Sequence, residues 1–428
     1  MRTNPSARWH LSNKPLWALA ACVLLSACSN EEQSTIQADI DVIASKQKPF
    51  SSINPEFDAP TRELILGYLQ QIEIDFAAVE IAINALQSKI ADFIEQPNAI
   101  SLASTRDSWI NAHTTYELTA LHRYFASLIL TEQDALTLFQ LQYQINHWPV
   151  LPGYIDYVDG YPDSGIVHDI NVPLNINSLR EQHGFLDISE ATLGFHVLEY
   201  LLWGANDDGN SPRLSAEYSA ITELTTGQAD GGFELDQLSN NRRRQLLAVV
   251  SQALLEDFEL TSSLWRGAAA SFRQQLGAEN SAAIGTAQLL VLITDAMTTM
   301  LTEELLVRSL YPMLNGEFTE SIQSPFSHST QNAVSSQLSG LERLLLESQT
   351  DAGITLDSLF SSISVNFSEF FYQNFDASKE CLILLYSDLD RPPASDAPLK
   401  TEFEVVECIN LLTNMIDYLN QLKIGISD

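Results

Sequence analysis

Between Ile72 and Phe93 the chain places large apolar residues at Ile72, Phe76, Val79, Ile83, Leu86, Ile90 and Phe93, in alternating steps of four and three. That period puts all seven on one side of an α-helix, the stripe of a helix buried in a bundle. The spacing predicts a helix that starts after "DAPT" and stops at Pro97. A second helical stretch runs from Leu102 through "SWINAHTTYELTALHRYFASLIL", and a third lies in "EQDALTLFQLQYQINHW". After a Gly- and Asp-rich stretch, residues 205–238, further helical segments follow. They are "NNRRRQLLAVVSQALLEDFELTSSLW", "AAIGTAQLLVLITDAMTTMLTEELLVRSLY", "AVSSQLSGLERLLLESQ", "ITLDSLFSSISVNFSEFFYQNF", a short helix at Cys381 and "TEFEVVECINLLTNMIDYLNQLKIG". No stretch alternates as a strand would. The expected fold is all-α, with two tandem helical-bundle domains, residues 59–235 and 236–428.

Residues 147–187 interrupt the helical period. Pro149, Pro152, Pro162 and Pro173, with glycines at 153, 160, 165 and 184, predict a long irregular loop in the first bundle. Its Trp148, Tyr154, Ile155, Tyr157 and Val158 predict that it packs against the protein. The next helix holds "GFHVLEYLLWG". Asp187 and Glu190 have the form of a capping box and Gly204 that of a stop, which would place Gly194 inside the helix. A glycine costs about 1 kcal/mol there relative to Ala, so close approach by another backbone or a ligand is expected.

The N-terminus has Arg2, Arg8 and Lys14 ahead of a short apolar run, Leu16 to Leu25. The run is too short to span a bilayer and is built like the apolar part of a secretory signal. It ends in "LLSAC", which resembles the lipobox of bacterial lipoproteins. That resemblance implies cleavage of residues 1–27, lipidation of Cys28 and membrane anchoring through its acyl chains. Residues 28–58 would then be a flexible tether. Ser29, rather than Asp, implies a Gram-negative outer-membrane destination, facing the periplasm. In such an oxidising compartment Cys381 and Cys408 could pair or remain two buried thiols. With 55 acidic and 22 basic residues, a net charge of −33, the chain is unsuited to nucleic acid, which requires clustered Lys and Arg.

Two ionisable residues in an apolar helix need partners. His196 and Glu199 lie about 60° apart around a helix and project from one face. Such a pair can hold a cation, imidazole suiting zinc, copper, iron or nickel, or form a buried hydrogen bond that fixes packing. A zinc site normally needs three or four ligands. The chain has no HExxH, no second histidine after "HVLEY", no Gly-x-Ser-x-Gly elbow and no phosphate-binding Gly-rich loop. Asp156 and Asp159 could add carboxylates, although loop aspartates more often cap turns. His168–Asp169 and His183 read as loop residues. Trp109, His113 and Tyr116 share a helix face, most simply as core, and Arg308 is spaced to pair with Glu304.

Taken together, these segments resemble the imelysin family of bacterial envelope proteins. The Gly-x-His-x-x-Glu motif is Gly194, His196 and Glu199, continued by "YLLWG". "SWINAHTTYE" resembles the family's Trp-x-x-Ala-Arg-x-x-Tyr helix, with His113 in place of Arg, and Ala120 stands where a glutamate is usual. "HWPVLPGYIDYVDG" is similar to a Trp-Pro…Ile-Asp-Tyr-Val-Asp segment, and "RRRQLLAVVSQALLEDFELTSSLW" to the helix opening the second half. "SPFSHSTQN" is similar to Phe-Ser-Asp-x-Thr, with His328 in place of Asp. The resemblance implies a pocket between two bundles, faced by His196 and Glu199 as metal ligands and shaped by Gly194, Asp156, Asp159, Trp109, Tyr116, Ser327 and Arg308. It implies metal or iron uptake alongside uptake components. A zinc-dependent metallopeptidase is the alternative, and a structural envelope protein with a metal-free His–Glu pair is a third reading.

Overall fold

A computed structural model describes residues 58–205, 212–276, 284–317, 321–348, 353–389 and 402–427. Helix α1 (Asp58–Glu95) carries the opening stripe, and all seven of its residues are buried. The chain turns at Asn98, whose side chain accepts from the Ile100 and Ser101 amides and so caps α2 (Ala99–Glu117). The expected second helix does not run on. It breaks at Leu118–Thr119, and α3 (Ala120–Ile129) starts afresh. The break frees the Tyr116 carbonyl to accept from Thr119 Oγ1 at 2.6 Å and Arg123 Nη1 at 2.8 Å. Helix α4 (Glu132–Asn146) follows, capped by Thr131.

The loop 147–187 packs as expected, with Ile155, Asp156, Ile166, Val167 and Leu174 buried. It contains one turn of helix at Pro152–Ile155 and a short α5 (Ile176–Gln182). Helix α6 (Phe195–Trp203) then holds the motif, and all nine of its residues are buried. It begins later than the capping-box reading predicts, because the Asp187 carboxylate turns to the Ser189 amide and hydroxyl instead. Gly194 is therefore the residue before the helix, at φ +94°. A Cβ there would collide with the Gln144 carbonyl and come 2.6 Å from that of Ile145. The close backbone approach was legible in the sequence; its place at the helix start was not.

Helix α7 (Ser239–Leu276) lies along α1 and also packs on α4 and α6. Helix α8 (Thr286–Met300) passes without a stop into a π-helical stretch, Leu301–Leu310, which carries Glu304 and Arg308. Helix α9 (Thr330–Leu346) packs on α2, where Gly340 lets it reach the Leu118 carbonyl. The segment expected as one helix after Ile354 is two, α10 (Leu356–Ile363) and α11 (Phe367–Leu389), and α12 (Glu402–Ser427) closes the fold. Cys381 on α11 and Cys408 on α12 form a disulfide. The fold is all-α, and no strand occurs among the described residues. None of the described helices is long and apolar enough to cross a membrane. The signal segment, Cys28 and the tether up to residue 57 lie outside the described residues.

Candidate functional site

Helix α2 has an unusual inward face. Along with Trp109, Ala112 and Tyr116 it buries His113 and Glu117. Trp109 bonds through its indole N–H to the Phe195 carbonyl at 2.8 Å, which fixes α2 against the start of α6. That contact sets the His113 and His196 rings edge to face at 5.1 Å.

His196 and Glu199, both fully enclosed, are bonded to each other, Nδ1 to Oε2, at 2.9 Å. The other Glu199 oxygen accepts three hydrogen bonds from one short segment: the Phe326 amide at 3.1 Å, the Ser327 amide at 2.8 Å and the Ser327 hydroxyl at 2.7 Å. Burial pushes the Glu199 carboxyl up to about 7, even though the Ser327 and Phe326 bonds and the His113 charge act against it. Burial also holds His196 well below the usual imidazole range, and the charges of His113 and Arg308 add to the effect against that of Glu117. With its Nδ1 engaged, His196 has one nitrogen left. Its Nε2 is buried and has no hydrogen-bond partner among the described residues.

Beside this pair lies a second carboxylate. Glu117 Oε1 accepts from the Asn146 and Gln323 amides, each at 2.6 Å, and Oε2 from the Gln337 amide at 2.8 Å. Arg123 approaches to 3.5 Å and His113 to 3.4 Å. Burial alone would raise Glu117, but the His113 bond and the Arg123 charge outweigh it and hold the group ionised. The π-helical stretch adds Glu304, whose oxygens accept from Tyr124 at 3.0 Å and Arg308 at 3.1 Å. The Arg308–Glu304 pair is the contact the spacing predicted. Arg308 also lies 4.8 Å over the Trp148 ring.

The other predicted site residues divide. Trp109 and Tyr116 lie against Phe195, Ser327 bonds to Glu199, Gly194 precedes the motif helix and Arg308 pairs with Glu304. Asp156 is buried elsewhere, against Arg243 at 2.6 and 3.1 Å, Arg213 at 3.0 Å and His168 at 3.3 Å, a bundle of charges that ties the long loop to α7. Asp159 is exposed on a turn. Asp169 is likewise exposed, and His183 bonds to the Tyr143 carbonyl and the Thr192 amide. Sequence reasoning passed over Asn146, Gln323 and Gln337, because buried amides leave no mark in a hydropathy pattern. Glu117 was discoverable, since it stands four residues after His113 on the same helix face.

The matched family closes the question of kinship. Residues 74–390 match the imelysin family. The chain belongs to that family. Among solved structures it is similar to an iron-regulated protein A precursor from Parabacteroides distasonis, with 13% identity and a TM-score of 0.61 over 89% of this chain and 99% of that one. An imelysin-like protein from Psychrobacter arcticum is 14% identical, with a TM-score of 0.49 over 86% of this chain and 95% of that one. At 13% identity the Parabacteroides structure shows a shared fold. No curated protein matches significantly.

The residues present do not make a closed metal centre. No group of three or more His, Cys, Asp or Glu side chains among the described residues is placed to hold an ion. Glu199 is turned onto His196 rather than sharing a cation with it. Within the His196–Glu199 pair, His196 Nε2 is left without a hydrogen-bond partner among the described residues, as is the Tyr116 hydroxyl nearby.

Proposed function

We propose that this imelysin protein is a cell-envelope component of iron acquisition, anchored through lipid on Cys28, that captures iron or an iron-bearing ligand as cargo at His196. The observation that carries this reading is the orphaned His196 Nε2. A buried polar atom without a partner costs about 1–3 kcal/mol, and this one ends a His–carboxylate pair inside the Gly-x-His-x-x-Glu motif. The arrangement behind it supports the same role. When Glu199 is ionised, His196 Nδ1–H donates to it and Nε2 presents a lone pair held in one orientation. Glu199 is itself fixed by three donors from residues 326 and 327. Its role is thus to orient His196, not to ligate. Hydrolysis is less well served, since a carboxylate that activates water needs a free oxygen and both of these are engaged. The iron-regulated protein of the same fold makes iron the first cargo to test.

The test is metal analysis of the protein purified without a histidine tag after growth with iron, with His196→Ala in parallel. Wild type is expected to carry or take up iron and the variant to lose it while retaining its helical circular dichroism. Equal iron in both would overturn the assignment.

A further inference from the structure

The cargo's own charge can be read from the side chains around His196. A bare ferrous or ferric ion requires anionic oxygens to replace its water. Near His196 every carboxylate oxygen is already held. Glu199 is held by His196, Phe326 and Ser327; Glu117 by three amides; and Glu304 by Tyr124 and Arg308. Arg123 and Arg308 balance Glu117 and Glu304, so the one carboxylate charge not offset by an arginine is that of Glu199, whose oxygens are both engaged.

Arg308 differs from the rest of this cluster. Its side chain is 32% exposed, against 4% for Arg123. One nitrogen bonds to Glu304 at 3.1 Å, while Nη2 has only a long 3.4 Å contact with the Asn146 carbonyl. A guanidinium has five donors, and most of these are unspent. The guanidinium carbon lies 4.8 Å from the Trp148 ring centroid, and the planar group can grip a carboxylate with two parallel bonds. Arg308 also sits on the His196 side of the cluster. Asn146, whose carbonyl it touches, has its side-chain oxygen 3.2 Å from His113 Nε2, and the His113 ring faces His196.

We propose that the cargo is an anionic iron chelate of the polycarboxylate class, with His196 Nε2 taking one coordination position on the iron and Arg308 holding a carboxylate of the chelator. One water leaves the iron as Nε2 binds, and the oxidation state is unchanged. The chelator brings the anionic oxygens that the protein lacks, so the metal arrives with its charge already compensated. Arg308, partly open to solvent, meets the chelate first and turns from Glu304 toward it. This rests on the capture role of His196 argued above and adds the class of cargo.

Titration calorimetry of the full chain separates the two claims, with ferric citrate, citrate alone and anaerobic ferrous sulfate as probes. Ferric citrate is expected to bind at least about ten-fold more tightly than ferrous ion, and Arg308→Gln to weaken ferric citrate about ten-fold. Arg308→Lys should recover part of that loss, because the charge returns without the planar fork. His196→Ala should abolish the difference between ferric citrate and citrate alone. If ferrous ion binds as tightly as ferric citrate and Arg308→Gln changes neither, the chelate assignment falls while iron capture stands. If no iron form binds to wild type, both fall.

Discussion

Two of the molecule's buried His–carboxylate pairs are finished differently. In the first, His122 on α3 uses both ring nitrogens: Nε2 meets Asp75 Oδ2 at 2.8 Å and Nδ1 meets the Tyr68 hydroxyl at 3.0 Å. Asp75 in turn takes Gln71 at 2.9 Å and Arg343 at 3.1 and 3.2 Å. That network ties α1, α3 and α9 together and leaves no ring nitrogen unanswered. In the second, Glu199 is equally well supplied with donors, but His196 stops one bond short. Burial alone does not separate structure from function here, since both histidines are enclosed. The unanswered nitrogen is what differs between them. The carboxylates diverge too. Burial would raise Asp75, but the bond and charge of His122 and the charge of Arg343 outweigh it and lower the group. Glu199, with one neutral imidazole and three uncharged donors, stays raised to about 7.

The largest expected effect tests that division directly. His122→Ala should cost about 3–5 kcal/mol of stability, since it strips Asp75 of a partner, leaves the Tyr68 hydroxyl unanswered and opens a cavity. His196→Ala opens a similar cavity and leaves Glu199 Oε2 without its partner, but three donors remain on Oε1 and the orphaned nitrogen is removed, so the cost should be smaller by about 1–2 kcal/mol. Urea denaturation of both variants measures the difference. Equal losses would mean that His196 is as structural as His122.

A smaller effect lies in the response to pH. Glu199 is raised in the folded state above its ordinary value of 4.5, so the native protein holds this proton more tightly than the unfolded chain does. Its contribution is fully present below about pH 4.5 and is lost as pH rises through about 7, a change on the order of 3 kcal/mol. Asp75 behaves in the opposite way. Its lowered value gives a contribution that is present above pH 3.8 and disappears only as pH falls further. Unfolding midpoints followed from pH 4 to 8 should therefore converge on a flatter profile in Glu199→Gln, while Asp75→Asn should leave the slope in this window intact. A Glu199→Gln profile parallel to wild type would show that its carboxyl is not raised.

The two pairs also differ in how far they could be read from the chain. The stripe from Ile72 to Phe93 and the motif at 194–199 were legible because period and local spacing carry them. The break at 118–119 was not, because it depends on Arg123 and Thr119 satisfying a carbonyl that a continuous helix would have used. The π-helical stretch was invisible for a related reason: its composition is that of an α-helix, and only the register differs. Asp156 was misassigned to the pocket because its partners, Arg213 and Arg243, lie 57 and 87 residues downstream. The His122–Asp75 network was missed entirely, since its members come from three separate helices. Gly-x-His-x-x-Glu marks the site, whereas the residues that decide its charge arrive from residues 117, 146, 304–308 and 323–337 through folding.

The smallest effect concerns the segment that supports Glu199. Ser327→Ala removes one hydroxyl donor and leaves both backbone amides in place, so the cost should be about 1 kcal/mol. Tyr68→Phe removes a comparable single hydroxyl from His122 and should cost a similar amount. Their consequences for titration should separate. Losing the Ser327 hydroxyl takes away a bond that lowers Glu199, so its carboxyl should move above 7 and the pH window of its stability contribution should move upward with it. Losing the Tyr68 hydroxyl touches His122 Nδ1, not Asp75, and the acid limb should stay where it is. Carboxyl infrared difference spectra across pH 5 to 9 read the first shift, and acid unfolding reads the second. If Ser327→Ala leaves the Glu199 midpoint unmoved, the donors at 326–327 do not set its proton affinity. The orientation of His196 would then rest on the His196–Glu199 bond alone.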